Sequence, residues 1–325
     1  MKRQFKSRMA EIIKAFIEQK HSAGYKYHEN ERYLLNFDEM CATNFPSADT
    51  VTKEVALAWA VSGPNENRAG LARRISPVRE LSRYIIRSGK NAYIIPKQCG
   101  KTPFRNFVPY IFTKEELSKI FESADNLPPL ERFPLNHLEA PIMIRLLYAC
   151  GLRPYEGREI LRKNIDLDKG TIFIPESKKF KDRIVVMDNS MLEMCRIYDE
   201  KSRIILPSSD YFFPCHGKIH SYHNKGWLNL IMDRCLLNSG VYDHVGIKPR
   251  PYDLRHTYAT HTLFRWLEEG RDLNNCLPYL SAFMGHEKFQ HTAYYIHLVP
   301  EFLPNIQANY VINLARFIPE VPHED

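Results

Sequence analysis

The 325-residue sequence lacks several features that would assign it to large classes of protein. No apolar run approaches the roughly 18 residues that a membrane-spanning helix requires. The opening Met-Lys-Arg-Gln-Phe-Lys-Ser-Arg is followed by no apolar segment typical of a signal peptide. Neither a Walker-type glycine loop nor G-x-G-x-x-G occurs, so the sequence predicts no nucleotide cofactor.

Cysteine is sparse and unpatterned. The seven cysteines form no C-x-x-C pair, and an odd, scattered set is typical of reduced intracellular thiols. Cys215, His216, His220 and His223 carry side chains that bind zinc, but their spacing fits no common zinc pattern. We therefore expect a cytosolic protein with no metal site and no cofactor.

Positive charge is present and unevenly distributed. The formal net charge of +7 is compatible with a nucleic-acid partner without being diagnostic of one. Residues 68–105 contain ten lysines and arginines and a single acidic residue, Glu80. Such a stretch attracts a polyanion, although it could also be a solvated basic face. The predicted DNA-binding residues are Arg68, Arg73, Arg74, Arg79, Arg83, Lys97, Lys101 and Arg105.

Length and a hydrophobic content of 44% predict two globular domains. Helical spacing of apolar residues predicts four short helices in the first 93 residues, the fourth from about Ser76 to Ser88. Prolines mixed with lysines and an arginine in residues 94–111 predict a basic linker, which could lie along DNA or act as a spacer.

The second part of the chain has mixed patterns. Thr113 and Glu116 form a capping-box signature that predicts a helix to about Ser123, and 138–150 reads as a buried helix. Two β-branched runs, 171–174 and 183–187, predict a hairpin. From Trp227 onward the pattern is mostly helical.

Groups suited to attack on a phosphodiester occur in order along residues 151–297. A guanidinium matches two phosphate oxygens, and Pro154 favours a helix start directly after Arg153. Arg153 could equally cap that helix and pair with Glu156. The motifs are Gly151-Leu152-Arg153-Pro154-Tyr155-Glu156, Ser177-Lys178-Lys179-Phe180-Lys181-Asp182-Arg183, Pro251-Tyr252-Asp253-Leu254-Arg255-His256, Gly285-His286 and Tyr294-Tyr295-Ile296-His297.

This ordered set resembles the tyrosine recombinase, or phage integrase, family over most of the chain. The resemblance implies a mainly α fold with a small β-sheet, arranged as two domains that clamp DNA. The implied parts are a helical core-binding domain (1–93), the basic linker (94–111), a catalytic domain (112–303) and a C-terminal tail (304–325). An apolar stripe of Ile306, Tyr310 and Leu314 in the tail implies docking on a neighbouring protomer, or packing on its own domain.

The resemblance also implies the catalytic roles. Tyr295 would attack the phosphorus and form a 3′-phosphotyrosine without metal or ATP, with Tyr294 as the alternative nucleophile. The clustered positive charge would favour its phenolate. Lys178 would protonate the leaving 5′ oxygen, with Lys179 and Lys181 as alternatives. The implied catalytic set is Arg153, Lys178, Arg255, His286 and Tyr295.

One position departs from the family pattern. Tyr252 stands three residues before Arg255, where the family most often has histidine. A phenol can donate to a phosphate oxygen, but with a reference pKa of about 10 it is a poor general base at neutral pH. Glu156 could hold Arg153 in place. His256 and His261 are expected to pack and hydrogen-bond rather than react.

The implied function is site-specific recombination of double-stranded DNA at inverted half-sites, by a dimer on each site and a tetramer in synapsis. Integration or excision of a mobile element is the first interpretation. The alternatives are an Xer-type resolvase, a DNA-binding relative that has lost catalysis, and a type IB topoisomerase, which shares the chemistry.

Overall fold

The computed structural model describes residues 4–25, 27–99, 108–131, 133–177, 181–215, 220–244, 246 and 248–298. The chain divides into two compact units, residues 1–107 and 108–325. No helix in the described part of the chain is both long and apolar enough to cross a bilayer.

The described residues of the first unit form four α-helices around one apolar core. Thr52 accepts from the Val55 N–H at the start of the third helix, and Asn67 accepts from the Gly70 N–H at the start of the fourth. The core includes Phe16, Phe37 and Ile75. The helices are α1 (Ala10–Ser22), α2 (His28–Asn44), α3 (Lys53–Trp59) and α4 (Arg68–Arg87).

The prediction for α4 was wrong at its start. The helix begins at Arg68 rather than near Ser76, and Pro77 lies inside it. The apolar spacing that predicted this helix, from Val78 to Ile86, covers only its second half. The cap at Asn67 determines the true start, so the arginines from 68 onward share one long helix.

Part of the predicted linker belongs to the first unit. Ile95 is fully buried in its core, and the Arg79 guanidinium donates to the carbonyls of Ile95, Pro96 and Cys99. Residues 100–107 lie outside the described residues. The boundaries 1–93, 94–111, 112–303 and 304–325 stay predictions, and the tail, like all residues after 298, is not described.

The second unit is mostly helical where it is described. Its predicted capping box is present, since Thr113 accepts from the Glu116 N–H and Glu116 accepts from the Thr113 N–H. The α-helices are α5 (Lys114–Asp125), α6 (Asn136–Ala149), α7 (Pro154–Arg158), α8 (Asn189–Ile205), α9 (Lys225–Asn238), α10 (Pro251–Glu268), α11 (Leu273–Met284) and α12 (Gln290–Ala293), and a 3-10 turn, Tyr294–Leu298, follows α12.

A small antiparallel sheet accompanies these helices, in the order β1 (Ile165–Asp166), β2 (Thr171–Ser177) and β3 (Lys181–Val186). Alternation along β3 buries Arg183 and Val185 and exposes Ile184. The predicted mainly α fold with a small sheet is confirmed, and the position of Arg183 on the buried face proves important for the site.

Candidate active site

Helix α10 carries the second predicted arginine at the centre of the site. Tyr252, Arg255 and His256 lie three and four residues apart, so they share one face of the helix. Asp253 accepts from the Arg250 N–H at 2.8 Å and so fixes the start of the helix. This capped first turn sets the direction of the three side chains.

Arg255 is fully buried, with no exposed surface. Its Nη1 donates to the Gly151 carbonyl at 2.5 Å and its Nη2 to the Met284 carbonyl at 2.6 Å. Gly151 has a φ of +56°, and a Cβ there would lie 2.6 Å from the Tyr258 ring. Only glycine therefore allows the backbone to approach Arg255 in this way.

Arg153 precedes α7 and pairs with Glu156, as one of the two sequence interpretations expected. Glu156 Oε1 accepts from Arg153 Nη1 at 2.7 Å, and Glu156 Oε2 accepts from the Arg153 N–H at 2.8 Å. Arg183 on β3 binds the same carboxylate through two bonds, of 2.8 and 2.6 Å. Glu156 thus holds two buried guanidinium groups together.

The charges in this cluster support one another. Burial alone would raise the pKa of Glu156, but the hydrogen bonds and charges of Arg183 and Arg153 outweigh it and lower that pKa to about 2. Burial opposes the charged form of Arg153, yet Glu156 raises its pKa. Both groups are therefore ionised at neutral pH.

The C-terminal end of α11 organises three arginines. Successive carbonyls of Phe283, Met284 and Gly285 accept, respectively, from Arg183 Nε at 3.0 Å, Arg255 Nη2 at 2.6 Å and Arg153 Nη2 at 2.6 Å. The last carbonyls of a helix have no partner within it and carry partial negative charge. This helix end therefore fixes the guanidinium groups next to His286, the following residue.

His286 is held by a residue that sequence reasoning did not single out. Its Nδ1 lies 2.7 Å from the hydroxyl of buried Thr292 on α12. Burial and the charges of Arg255 and Arg153 lower the pKa of His286 to about 3, so its ring is neutral at pH 7. If Thr292 donates to Nδ1, the proton resides on Nε2, which can then donate to an anion.

Tyr295 lies on the 3-10 turn after α12 and is 3% exposed. Its ring stacks on His286 with a centroid distance of 6.0 Å, and its hydroxyl lies 3.0 Å from His256 Nδ1. Burial raises the pKa of Tyr295, and the opposing charges of Arg255 and Arg153 do not reverse this. The charges of Arg255 and Arg153 favour the phenolate, as the clustered positive charge predicted, but the effect of burial is larger. Tyr294, the alternative nucleophile, is more exposed, at 37%.

A cleft of about 640 Å³ brings these groups together. It is lined by Arg153, Tyr155, Tyr252, His256, His286, Glu287, Gln290, His291, Tyr294 and Tyr295. The charge of Arg255 acts on the pKa of His286, and Arg255 interacts electrostatically with Arg153 and Tyr295. Three of the five predicted catalytic residues thus line one cleft and Arg255 adjoins it; Lys178, like Lys179, lies outside the described residues.

The predicted DNA-binding arginines fall into two groups. Arg74 stacks on Trp59 at 4.5 Å and pairs with Glu66 at 2.7 Å, so it has a structural role, as does Arg79. Four others are exposed: Arg68, Arg73, Arg83 and Lys97. Lys101 and Arg105 lie outside the described residues. Contact with DNA stays a prediction for all of them.

Sequence reasoning passed over Arg183, Thr292 and the contact of His256. Arg183 was noted as part of the hairpin. It lies two residues before the apolar Val185, so both side chains are on the same face of the strand, and this spacing is the signal that could have identified it. The contact between His256 and Tyr295 joins residues 39 positions apart and leaves no local signal. Within the described part of the chain, no three His, Cys, Asp or Glu side chains are grouped as metal ligands.

Comparison with known proteins identifies the family. The model of the phage integrase family matches residues 111–301, more than half of the chain. The chain is 29% identical to y4rB of Sinorhizobium fredii, which is named as an integrase/recombinase, over 91% of this chain and 95% of y4rB. It is 27% identical to the tyrosine recombinase XerC of Oceanobacillus iheyensis, over 73% and 72% of the two chains.

The fold also matches a solved structure. The XerH site-specific recombinase bound to difH substrate, in a pre-cleavage complex, has a TM-score of 0.59 to this structure at 19% identity, covering 83% of this chain and 76% of XerH. The family match, the relatives and the fold agree with one another: this chain belongs to the phage integrase family, the tyrosine site-specific recombinases.

Proposed function

We propose that Tyr295 attacks a DNA phosphodiester and forms a 3′-phosphotyrosine with release of a 5′-hydroxyl. The observation that carries this is the single cleft lined by Arg153, His286 and Tyr295, with Arg255 in electrostatic contact. The ester energy is kept in the covalent intermediate, so religation requires no ATP.

The positive charge at the cleft suits the transition state. Arg153 would bind a non-bridging oxygen, and a neutral His286 would donate a second hydrogen bond through Nε2. Arg255 has a buried Nε without a hydrogen-bond partner among the described residues, which is costly unless an acceptor is supplied. A phosphate oxygen would supply that acceptor once the guanidinium becomes accessible.

These groups supply the charge stabilisation that a metal ion provides in other phosphoryl transfers, so the reaction is proposed to proceed without one. The proton for the leaving 5′ oxygen would come from the hairpin lysine, Lys178. Cleavage in the presence of a chelator tests the independence from metal. Equal losses of cleavage activity from Lys178→Ala and Lys179→Ala would contradict the role of Lys178 as the acid.

Covalent trapping tests the nucleophile. Nicked duplexes tiled from the DNA that flanks the gene are incubated with the wild type, Tyr295→Phe and Tyr294→Phe, and are then separated on a denaturing gel. We expect a protease-sensitive adduct with the wild type and Tyr294→Phe, and none with Tyr295→Phe. Adduct loss with Tyr294→Phe alone would move the nucleophile by one residue.

The biological substrate is proposed to be the ends of a mobile element. The similarity to y4rB, named as an integrase/recombinase, over nearly the whole of both chains supports this. An Xer-type resolvase is the alternative, supported by the 27% identity to XerC. Mapping the trapped duplexes distinguishes the two, since element ends and a chromosomal resolution site lie in different sequence contexts.

The assembly follows from the same proposal. A dimer would bind the inverted repeats of each site in the cytoplasm, and two sites would synapse in a tetramer. Light scattering measures the mass of the complexes that the wild type forms with one and with two equivalents of half-site DNA, and so distinguishes the dimer from the tetramer. A species that never exceeds a dimer with excess site DNA would contradict the tetramer.

A further inference from the structure

His256 contacts the reacting atom of the proposed nucleophile. Its Nδ1 lies 3.0 Å from the Tyr295 hydroxyl, and the two rings are 5.5 Å apart. Both residues line the cleft, and Tyr295 is almost completely buried. A hydrogen bond of this length to the attacking oxygen meets the first requirement for a general base, which is geometry.

The surroundings keep His256 uncharged at pH 7, and the same effect makes it a weaker base than a free imidazole, so the case for a general base rests on the geometry. Burial, with the charges of Arg250 and Arg255, lowers its pKa to about 4, so the ring is neutral at pH 7. A neutral imidazole has one nitrogen that carries no proton. Across the cleft face, the neighbouring ionisable rings are Tyr252 at 5.1 Å and Tyr295 itself.

The position where the family most often has histidine cannot supply this function here. Tyr252 stands there, on the same helix face as His256, and a phenol is a poor proton acceptor at neutral pH. The chain therefore has a nucleophile that must lose a proton and, one residue after Arg255, a neutral imidazole within hydrogen-bond distance of it.

We propose that His256 is the general base that accepts the Tyr295 proton during cleavage, an inference that rests on the proposed function of Tyr295. As the Oη–H bond breaks, the proton moves to His256 Nδ1 and Oη bonds to phosphorus. The bond from phosphorus to the 5′ oxygen breaks, and that oxygen takes a proton from a separate acid. In religation His256 returns its proton to Tyr295.

A different arrangement of the same contact must be excluded. If His256 Nδ1 carries the proton, it donates to Tyr295 and only positions the ring. His256→Asn separates the two arrangements, because an amide near the Nδ1 position keeps a hydrogen bond in either direction but cannot accept a proton. His261 offers a matched control. It also lies on α10, its Nδ1 is 3.0 Å from the Tyr148 hydroxyl, and it does not line the active-site cleft.

The experiment measures the single-turnover rate of adduct formation on a duplex that covalent trapping has identified as a substrate, with either oxygen or sulfur at the 5′ bridging position. A thiolate leaves without an acid, so the sulfur substrate isolates the attack of Tyr295. We expect His256→Asn and His256→Ala to slow adduct formation about 100-fold or more on both substrates, with DNA binding unchanged. Between pH 6 and 9, the His256→Asn rate should rise nearly tenfold per unit, more steeply than the wild-type rate.

Four outcomes would overturn the assignment. A near wild-type rate for His256→Asn would leave only a positioning hydrogen bond. Restoration by the sulfur substrate would place the defect on the leaving group. An equal loss for His261→Asn, or a lower thermal midpoint for His256→Asn than for His261→Asn, would indicate a general effect on α10. If the wild type forms no adduct on any duplex, the proposed function fails, and this inference fails with it.

Discussion

Glu156 is a buried carboxylate whose charge is maintained by two arginines. Its pKa falls from 4.5 to about 2, against the effect of burial, because Arg183 and Arg153 bind it. A folded-state pKa below the unfolded value means that the ionised group stabilises the fold above pH 4.5, and that this contribution is lost as the pH falls towards 2. The full contribution is about 3 kcal/mol.

We therefore expect Glu156→Gln to have a weaker acid dependence of stability than the wild type. Between pH 7 and pH 3.5 the difference in unfolding free energy between the two should shrink by about 1.4 kcal/mol. Urea unfolding followed by Trp227 and Trp266, in a Trp59→Phe background, reports on the second unit alone. Parallel pH curves for the two proteins would show that Glu156 is not held in its charged form.

Tyr252 lines the cleft at the position where the family most often has histidine, and it is 36% exposed. If its hydroxyl donates to a charged phosphate oxygen, Tyr252→Phe should lose about 1.5–3 kcal/mol of transition-state binding, or roughly 10- to 150-fold in adduct rate. Tyr279→Phe, exposed and outside this cleft, is the control. Complete loss of activity would mean that Tyr252 moves a proton and would weaken the assignment of His256.

Single residues also show where sequence reasoning ends. Arg153, Arg255, His286 and Tyr295 could be proposed from the sequence because each belongs to a short motif with fixed spacing; their catalytic roles stay predictions. Arg183 and Thr292 act through contacts with residues far along the chain, such as the 2.6 Å bond from Arg183 to Glu156. The net rise in the pKa of Tyr295 comes from burial, which no spacing indicates, and this outweighs the opposite effect of Arg255 and Arg153 that the sequence predicted.

At the scale of elements, the end of α11 fixes the geometry of the site. Gly285 has a φ of +63°, and a Cβ there would lie 3.0 Å from Arg183 Cδ. Gly270, after α10, has a φ of +68° but open space around it. Alanine at either position pays for a left-handed backbone, about 1–2 kcal/mol; at Gly285 it also displaces the arginine cluster.

We expect both Gly285→Ala and Gly270→Ala to lose stability, Gly285→Ala more because of the contact with Arg183, and we expect only Gly285→Ala to lose activity. Gly285→Ala should slow adduct formation roughly ten- to hundredfold, because small displacements of catalytic groups have effects of this size. Gly270→Ala should stay near the wild type. Thermal unfolding and single-turnover rates measure the two effects separately, and equal rates would show that the turn tolerates a methyl group next to Arg183.

Elements were predicted well where a cap or a long apolar pattern marked them. The capping box at Thr113 and the β-branched runs of the hairpin are confirmed. The predicted start of α4 was wrong because the apolar spacing behind it covers only the second half of the helix, which begins after the cap at Asn67. Short elements such as α12, four residues long, carry too few residues for a periodic pattern, although α12 supplies Thr292.

At the scale of the whole molecule, the two units divide the predicted tasks. The second unit contains the cleft, and the first presents a helix, α4, with exposed arginines. Arg74 and Arg79 on the same helix are engaged in internal contacts, so α4 combines structural and exposed cations. The sequence indicated the basic stretch as a whole, but only the packing separates the two kinds of arginine.

This separation gives a prediction for DNA affinity. If Arg68, Arg73 and Arg83 each neutralise one phosphate, the triple alanine variant should lower the slope of log affinity against log salt by about 2.7, since each contact contributes about 0.9. The charge-matched control replaces Lys14, Arg32 and Lys53, which are exposed on the other three helices. Titration of a labelled duplex at several salt concentrations gives both slopes. An equal change in the two triple variants would mean that α4 attracts DNA by net charge alone, whereas a change confined to the α4 variant would place this helix on the phosphate backbone.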